Sequence, residues 1–160
     1  MKSIEEQVVH ALQERNYTVA TAESCTGGLV AGTILNVSGA SAVFNEGYIT
    51  YSNEAKNRIL GVSKATLECF GAVSEETARE MAEGVAKVAD ADVGISTTGI
   101  AGPGGGTPEK PVGLIYVGCF VRNRTYVKEL RLTGNREENR QKTVQEALEF
   151  VLNKISVVEK

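Results

Sequence analysis

Histidine is almost missing from this chain: one residue, His10, in 160. A Ser-His-Asp triad would depend on that single side chain, and a structural zinc site would lack ligands. Cysteine is scarce too. Cys25, Cys69 and Cys119 are scattered with no C-x-x-C pair, an odd set that reads as free thiols in a reducing compartment. The longest apolar run, Val112 to Val121, falls well short of the roughly 18 residues of a spanning helix. Met1 to Glu6 carries acids where a signal peptide needs an apolar stretch. Nor is there an excess of positive charge, since 17 basic against 20 acidic residues leave −3. That balance argues against nucleic acid or a membrane as partner. The cytoplasm is the expected compartment, and a hydrolase built from this chain would use a base other than histidine.

What is present suits one domain spanning residues 1–160. Apolar residues make up 42% and charged residues 23%, ordinary proportions for a chain able to bury one sizeable core. Ser3 and Glu6 form a capping box before Ile4, Val8, Ala11 and Leu12 at helical spacing. Thr18 to Ala22 reads as a strand, and Gly27-Gly28 opens a helix through Val37. A second strand is expected from Gly47 to Tyr51, then a helix from Asn53 to Leu60 closed by Gly61. A short helical segment around Ala65 to Phe70 precedes a longer helix capped by Ser74. Val93 to Thr98 makes a third strand, and Gly113 to Val121 with Thr125 to Leu132 an antiparallel pair. Asn135 and Glu138 cap a last helix. This alternation implies a three-layer α/β/α sandwich with a mixed, mostly parallel sheet. Ligands in such folds gather at the carboxyl ends of parallel strands.

Four segments at or near such ends are unusual. In Thr21-Ala22-Glu23-Ser24-Cys25-Thr26-Gly27-Gly28 a strand turns sharply into a helix. Ser24 could be a nucleophile there, with amides of Thr26, Gly27 and Gly28 as an oxyanion hole. Cys25 competes for the role, and an ordinary capped helix start is the plain alternative. In Tyr51-Ser52-Asn53-Glu54-Ala55-Lys56 the lysine sits where the helix dipole repels a cation. With burial, that repulsion would make Lys56 a base, although position alone favours a solvated lysine. Gly99 to Lys110 holds five glycines and two of the three prolines. It fits neither a Walker A loop nor a dinucleotide fingerprint, but a loop of that length is usually functional. Arg136 and Arg140 lie one turn apart at a helix start, either facing an anion or pairing with Glu137 and Glu138. Cys69 and Cys119 read as packing residues, and His10 as part of a helix face.

Together these blocks, with Gly71-Ala72-Val73-Ser74 and Lys110-Pro111-Val112-Gly113, resemble the CinA C-terminal domain family of nicotinamide mononucleotide deamidases, also called PncC, in its stand-alone form. The likeness runs in order over nearly the whole chain. It implies hydrolysis of the carboxamide of nicotinamide mononucleotide to nicotinate mononucleotide and ammonia, with no cofactor and no metal. It also implies a serine nucleophile at Ser24, supported by Lys56 and the hydroxyl of Tyr51. The expected substrate contacts are Thr26, Gly27, Gly28, Asn53, Thr98, Gly99, Ala101, Gly102, Gly105 and Arg140, the last with the glycine-loop amides on the 5′-phosphate. The partner is then a small nucleotide, and a homodimer is the expected assembly. A non-catalytic nucleotide-sensing module is the rival class, and a cysteine hydrolase the third.

Overall fold

The computed structural model describes residues 1–157. Five strands, β1 (Val19–Glu23), β2 (Phe44–Ile49), β3 (Val93–Gly99), β4 (Leu114–Val121) and β5 (Arg124–Arg131), form one sheet in the order β2-β1-β3-β4-β5. β2, β1 and β3 pair in parallel, whereas β4 is antiparallel to both β3 and β5. Six helices cover the sheet: α1 (Ile4–Arg15), α2 (Leu29–Leu35), α3 (Asn53–Leu60), α4 (Lys64–Phe70), α5 (Glu75–Ala89) and α6 (Arg136–Val157). One face carries α1, α2 and α6, the other α3 and α4 around α5. The result is the expected three-layer sandwich with a mixed sheet, its pairings divided evenly, two parallel and two antiparallel, where a mostly parallel sheet was expected.

Local chemistry sets the helix limits. Ser3 and Glu6 make the reciprocal capping box of α1, and Asn135 with Glu138 does the same for α6. Ser52 accepts the amide of Ala55 and Ser74 that of Thr77, each at 3.1 Å. β1 is buried along its whole length, as a central parallel strand covered on both faces must be. Val8, Leu12, Ile34, Leu148 and Ile155 pack with Val93, Ile95 and Val117 in the larger core. Met81, Val85, Leu60 and Val62 pack with Ala20 and Ala22 in the smaller one. No helix among the described residues is long and apolar enough to cross a membrane.

Three local expectations need correction. β2 runs from Phe44 to Ile49, not from Gly47 to Tyr51: it pairs with β1 from Val19 onward, across a slip between Val19 and Thr21 that absorbs an extra residue. Gly47 fits that irregularity, since a Cβ there would lie 2.4 Å from Thr21 Oγ1. α2 stops at Leu35, short of Val37. Cys69 is exposed, not a packing residue, because α4 lies shallowly and fully buries none of its side chains.

Two helical glycines make opposite predictions. A Cβ on Gly84 of α5 would sit 2.0 Å from the Leu60 carbonyl oxygen, whereas Gly32 of α2 has open space. Gly84→Ala should therefore destabilise by about 1–3 kcal/mol through overpacking. Gly32→Ala should stabilise by roughly 0.5–1 kcal/mol by removing backbone freedom from the unfolded chain. Urea titrations of the two variants against wild type check both signs.

Candidate functional site

The carboxyl ends of the three parallel strands share one edge of the sheet, and the unusual segments follow them. Ser24 leaves β1 and its amide donates to the Thr97 carbonyl of β3 at 3.0 Å. On the other side, the Thr50 amide beyond β2 donates to the Glu23 carbonyl at 2.9 Å. The backbone at Ser24 is thus held from both neighbouring strands.

Lys56 is buried, with 1% of its surface exposed, against the expectation of a solvated residue. The break at Thr50 to Ser52 starts α3 so that Lys56, in its first turn, points back under the strand ends. Its Nζ donates to the carbonyls of Thr50 at 2.9 Å and Tyr51 at 3.1 Å, and to Ser24 Oγ at 3.0 Å. Those acceptors match the three protons of an ammonium. The same geometry serves the neutral amine, whose two N–H groups keep the carbonyls while its lone pair receives the serine hydroxyl. Burial lowers the Lys56 pKa to about 8. The neighbouring Cys25 thiol is pushed up to about 12, chiefly by burial, so at neutral pH it stays protonated.

The turn from Ser24 to α2 is fastened by two charged side chains. Glu23, 1% exposed, accepts the α2 amides of Val30 at 2.8 Å and Ala31 at 3.0 Å. It also takes the Thr26 hydroxyl at 2.5 Å, and that hydroxyl lies 2.7 Å from Thr97 Oγ1. The positive end of α2 is therefore capped from within. Arg140 donates through Nε to the Cys25 carbonyl at 3.0 Å and through Nη2 to the Thr26 carbonyl at 3.2 Å. Gly27, with φ of 56°, turns the chain left-handed beneath that guanidinium.

The glycine loop after β3 is tied to the same helix. The buried Asn139 donates to the carbonyls of Ala101 and Gly134, each at 3.0 Å. Arg136 donates through Nη1 to the Gly102 carbonyl at 2.9 Å and through Nη2 to the Tyr51 hydroxyl at 3.4 Å. Thr98 Oγ1 donates to the Ala72 carbonyl at 2.7 Å, joining β3 to the segment before α5. Between these parts lies a cavity of about 260 Å³, with Ser24, Cys25 and Lys56 on one side and Thr98 to Gly105 on the other. Tyr51 and Arg136 also line it.

The expected site residues divide accordingly. Ser24, Lys56, Tyr51, Thr98, Gly99, Ala101, Gly102 and Gly105 meet at this cavity. Tyr51, 65% exposed, offers Lys56 its carbonyl, while its hydroxyl pairs with Arg136. Asn53 lines a separate groove with Asn57, Arg58 and Lys64. Thr26, Gly27, Gly28 and Arg140 stand behind Ser24 and outside the lining. Sequence reasoning did not foresee the roles of Glu23, Thr97 and Asn139, whose signal is tertiary. It weighed Arg136 but chose Arg140 for the anion.

Residues 1–155 match the family model described as CinA C-terminal domain. A CinA-like protein from Kosmotoga olearia is 60% identical over 150 residues, 94% of this chain and 36% of that protein. The chain spans about a third of the length of the curated relatives it matches first. A crystal structure of a competence/damage inducible protein from Agrobacterium tumefaciens shares 43% identity at a TM-score of 0.89, covering 96% of this chain and 99% of that one. The competence damage-inducible protein A from Klebsiella pneumoniae shares 34% at 0.94, covering 98% and 97%. Sequence, fold and strand-end architecture agree: this chain belongs to the CinA C-terminal domain family.

Proposed function

We propose that residues 1–160 act as one amidohydrolase domain that hydrolyses the carboxamide of nicotinamide mononucleotide, giving nicotinate mononucleotide and ammonia. The observation that carries the reading is the 3.0 Å bond between the buried Lys56 amine and Ser24 Oγ at the cavity. A serine has no nucleophilic power at its ordinary pKa, and a base within hydrogen-bond reach supplies it. Lysine serves as that base once its pKa falls toward neutrality, and Lys56 lies near 8.

In the first step Ser24 Oγ bonds to the carboxamide carbon as its proton passes to Lys56. The oxyanion is met by backbone amides of the turn beginning at Cys25. Lys56 returns the proton to the departing nitrogen, the C–N bond breaks, and ammonia leaves an acyl-serine ester. Water then attacks that ester, giving its proton to Lys56, which passes it to Ser24 Oγ as the carboxylate is released. The proton path is direct, because Lys56 touches Ser24 while the Tyr51 hydroxyl faces Arg136.

At about 260 Å³ the cavity is smaller than the roughly 300–1,000 Å³ of sites that enclose a whole drug-sized ligand. It suits the pyridine ring and its amide, leaving the ribose phosphate at the mouth. There the glycine loop and the exposed Arg136 are the groups placed to meet an anion.

The direct test is release of ammonia and nicotinate mononucleotide from nicotinamide mononucleotide. Wild type should turn over. Ser24→Ala should fall to background with product affinity retained, and Lys56→Ala should lose roughly 10²–10⁴-fold. Cys25→Ala and Tyr51→Phe should keep most activity; a collapse in the first would indicate a cysteine enzyme, and in the second a hydroxyl relay. Wild type that binds the nucleotide without turnover would mark a sensor instead.

The pH profile is a second test. Below its pKa Lys56 carries a proton and cannot accept another, so kcat/KM should rise with pH and level off above about 8. The substrate's pyridinium repels an ammonium, so the inflection in kcat, which reports on the complex, should lie at lower pH than that in kcat/KM. A flat profile from pH 6 to 9 would remove lysine from the base role.

A further inference from the structure

Arg140 lies outside the cavity lining, yet its two bonds end on the turn that carries Ser24. Most backbone amides around it are already committed. The Ser24 amide goes to Thr97, the Gly27 amide to the Ser24 carbonyl at 3.2 Å, and the Leu29 amide to the Thr26 carbonyl at 3.0 Å. Those of Val30 and Ala31 go to Glu23. What remains beside the nucleophile is the amide of Cys25, which lines the cavity, whereas Thr26 is fully buried outside it.

A trans peptide is planar, with its carbonyl and the following amide pointing to opposite sides. Drawing the Cys25 carbonyl toward α6 therefore turns the Thr26 amide the other way. The Ser24 carbonyl, held by Gly27, fixes the Cys25 amide in the same manner. We infer that Arg140 is a positioning residue for the amidase reaction: its guanidinium clamps the Cys25 and Thr26 carbonyls and so holds the turn that carries Ser24 and the Cys25 amide, the group at the cavity left for the oxyanion. The inference rests on the amidase reading of Ser24. The planar fork reaches two carbonyls at once, which an ammonium does poorly. A side chain on Gly27 would come within 3.1 Å of Arg140 Nη2, so the glycine keeps the fork's place open. Arg140 thereby leaves substrate anions to Arg136.

The test compares kcat and KM for nicotinamide mononucleotide, and Ki for nicotinate mononucleotide, in wild type, Arg140→Met and Arg140→Lys. Arg140→Met should lose about 10- to 100-fold in kcat, with KM and Ki nearly unchanged and partial recovery on adding guanidinium. Arg140→Lys should fall between the two and carries the test if the methionine variant is unfolded by thermal melt. A rise in KM and Ki with kcat retained would put Arg140 on the substrate phosphate and overturn the clamp, as would unchanged kinetics in a folded variant. Acylation of Ser24 by p-nitrophenyl acetate, followed by intact mass, reads the turn without the amide. If wild type acylates at Ser24 but leaves the mononucleotide intact, the substrate assignment fails and the clamp is judged on acylation: a slower Arg140→Met supports it, an equal rate overturns it. Wild type that acylates nowhere removes nucleophile and clamp together.

Discussion

A lysine amine taken out of water is the constraint around which this site is arranged. Burying an unpaired ammonium costs several kcal/mol, and a protein meets that cost by supplying acceptors, by letting the group lose its proton, or by both. Lys56 shows both, with acceptors from Thr50, Tyr51 and Ser24 and a pKa brought down to about 8. Two acceptors are carbonyls that leave the ladder at the end of β2, and the third is the first side chain after β1. Adjacent parallel strands ending together, followed by a helix that starts four residues after Ile49, are what let one amine reach them all.

The architecture was legible because it is written in local pattern. Capping boxes at Ser3 and Asn135, the glycine stop at Gly61 and the serine caps at Ser52 and Ser74 fixed helix ends closely. β-branched runs located β1 and β3, and their placement before odd loops located the ligand-binding edge. The family likeness added the pairing of Ser24 with Lys56. What local pattern missed depends on partners far along the chain. Lys56 looks solvated in its own helix, and only the strand ends above it bury it. Arg136 and Arg140 are equivalent by helical position, and what each meets, a loop after β3 or a turn after β1, decides their different roles. Cys69 has apolar neighbours but lies on a helix that packs too shallowly to hide it.

Glu23 changes the meaning of the helix start beside Ser24. A strand–turn–helix with glycines suggests an open positive pole waiting for an anion. Here a buried carboxylate occupies that pole, with the Thr26 hydroxyl completing its hydrogen bonds and itself paired with Thr97. The helix is thereby stabilised from inside the domain, and its positive pole is not open to a ligand.

The first two turns of α6 supply Arg136, Asn139 and Arg140, which bind the loop after β3 and the turn after β1. In chain order α6 is the last of the described elements, so during synthesis Ser24 and Lys56 emerge well before the helix that ties their surroundings together. Until that helix docks, the carbonyls of Cys25, Thr26, Ala101 and Gly102 lack these partners and the groove has no settled shape. Competence of the site is thus tied to completion of the fold. Loosening one end of one helix would release the loop and turn around the cavity while Ser24 and Lys56 stayed in contact.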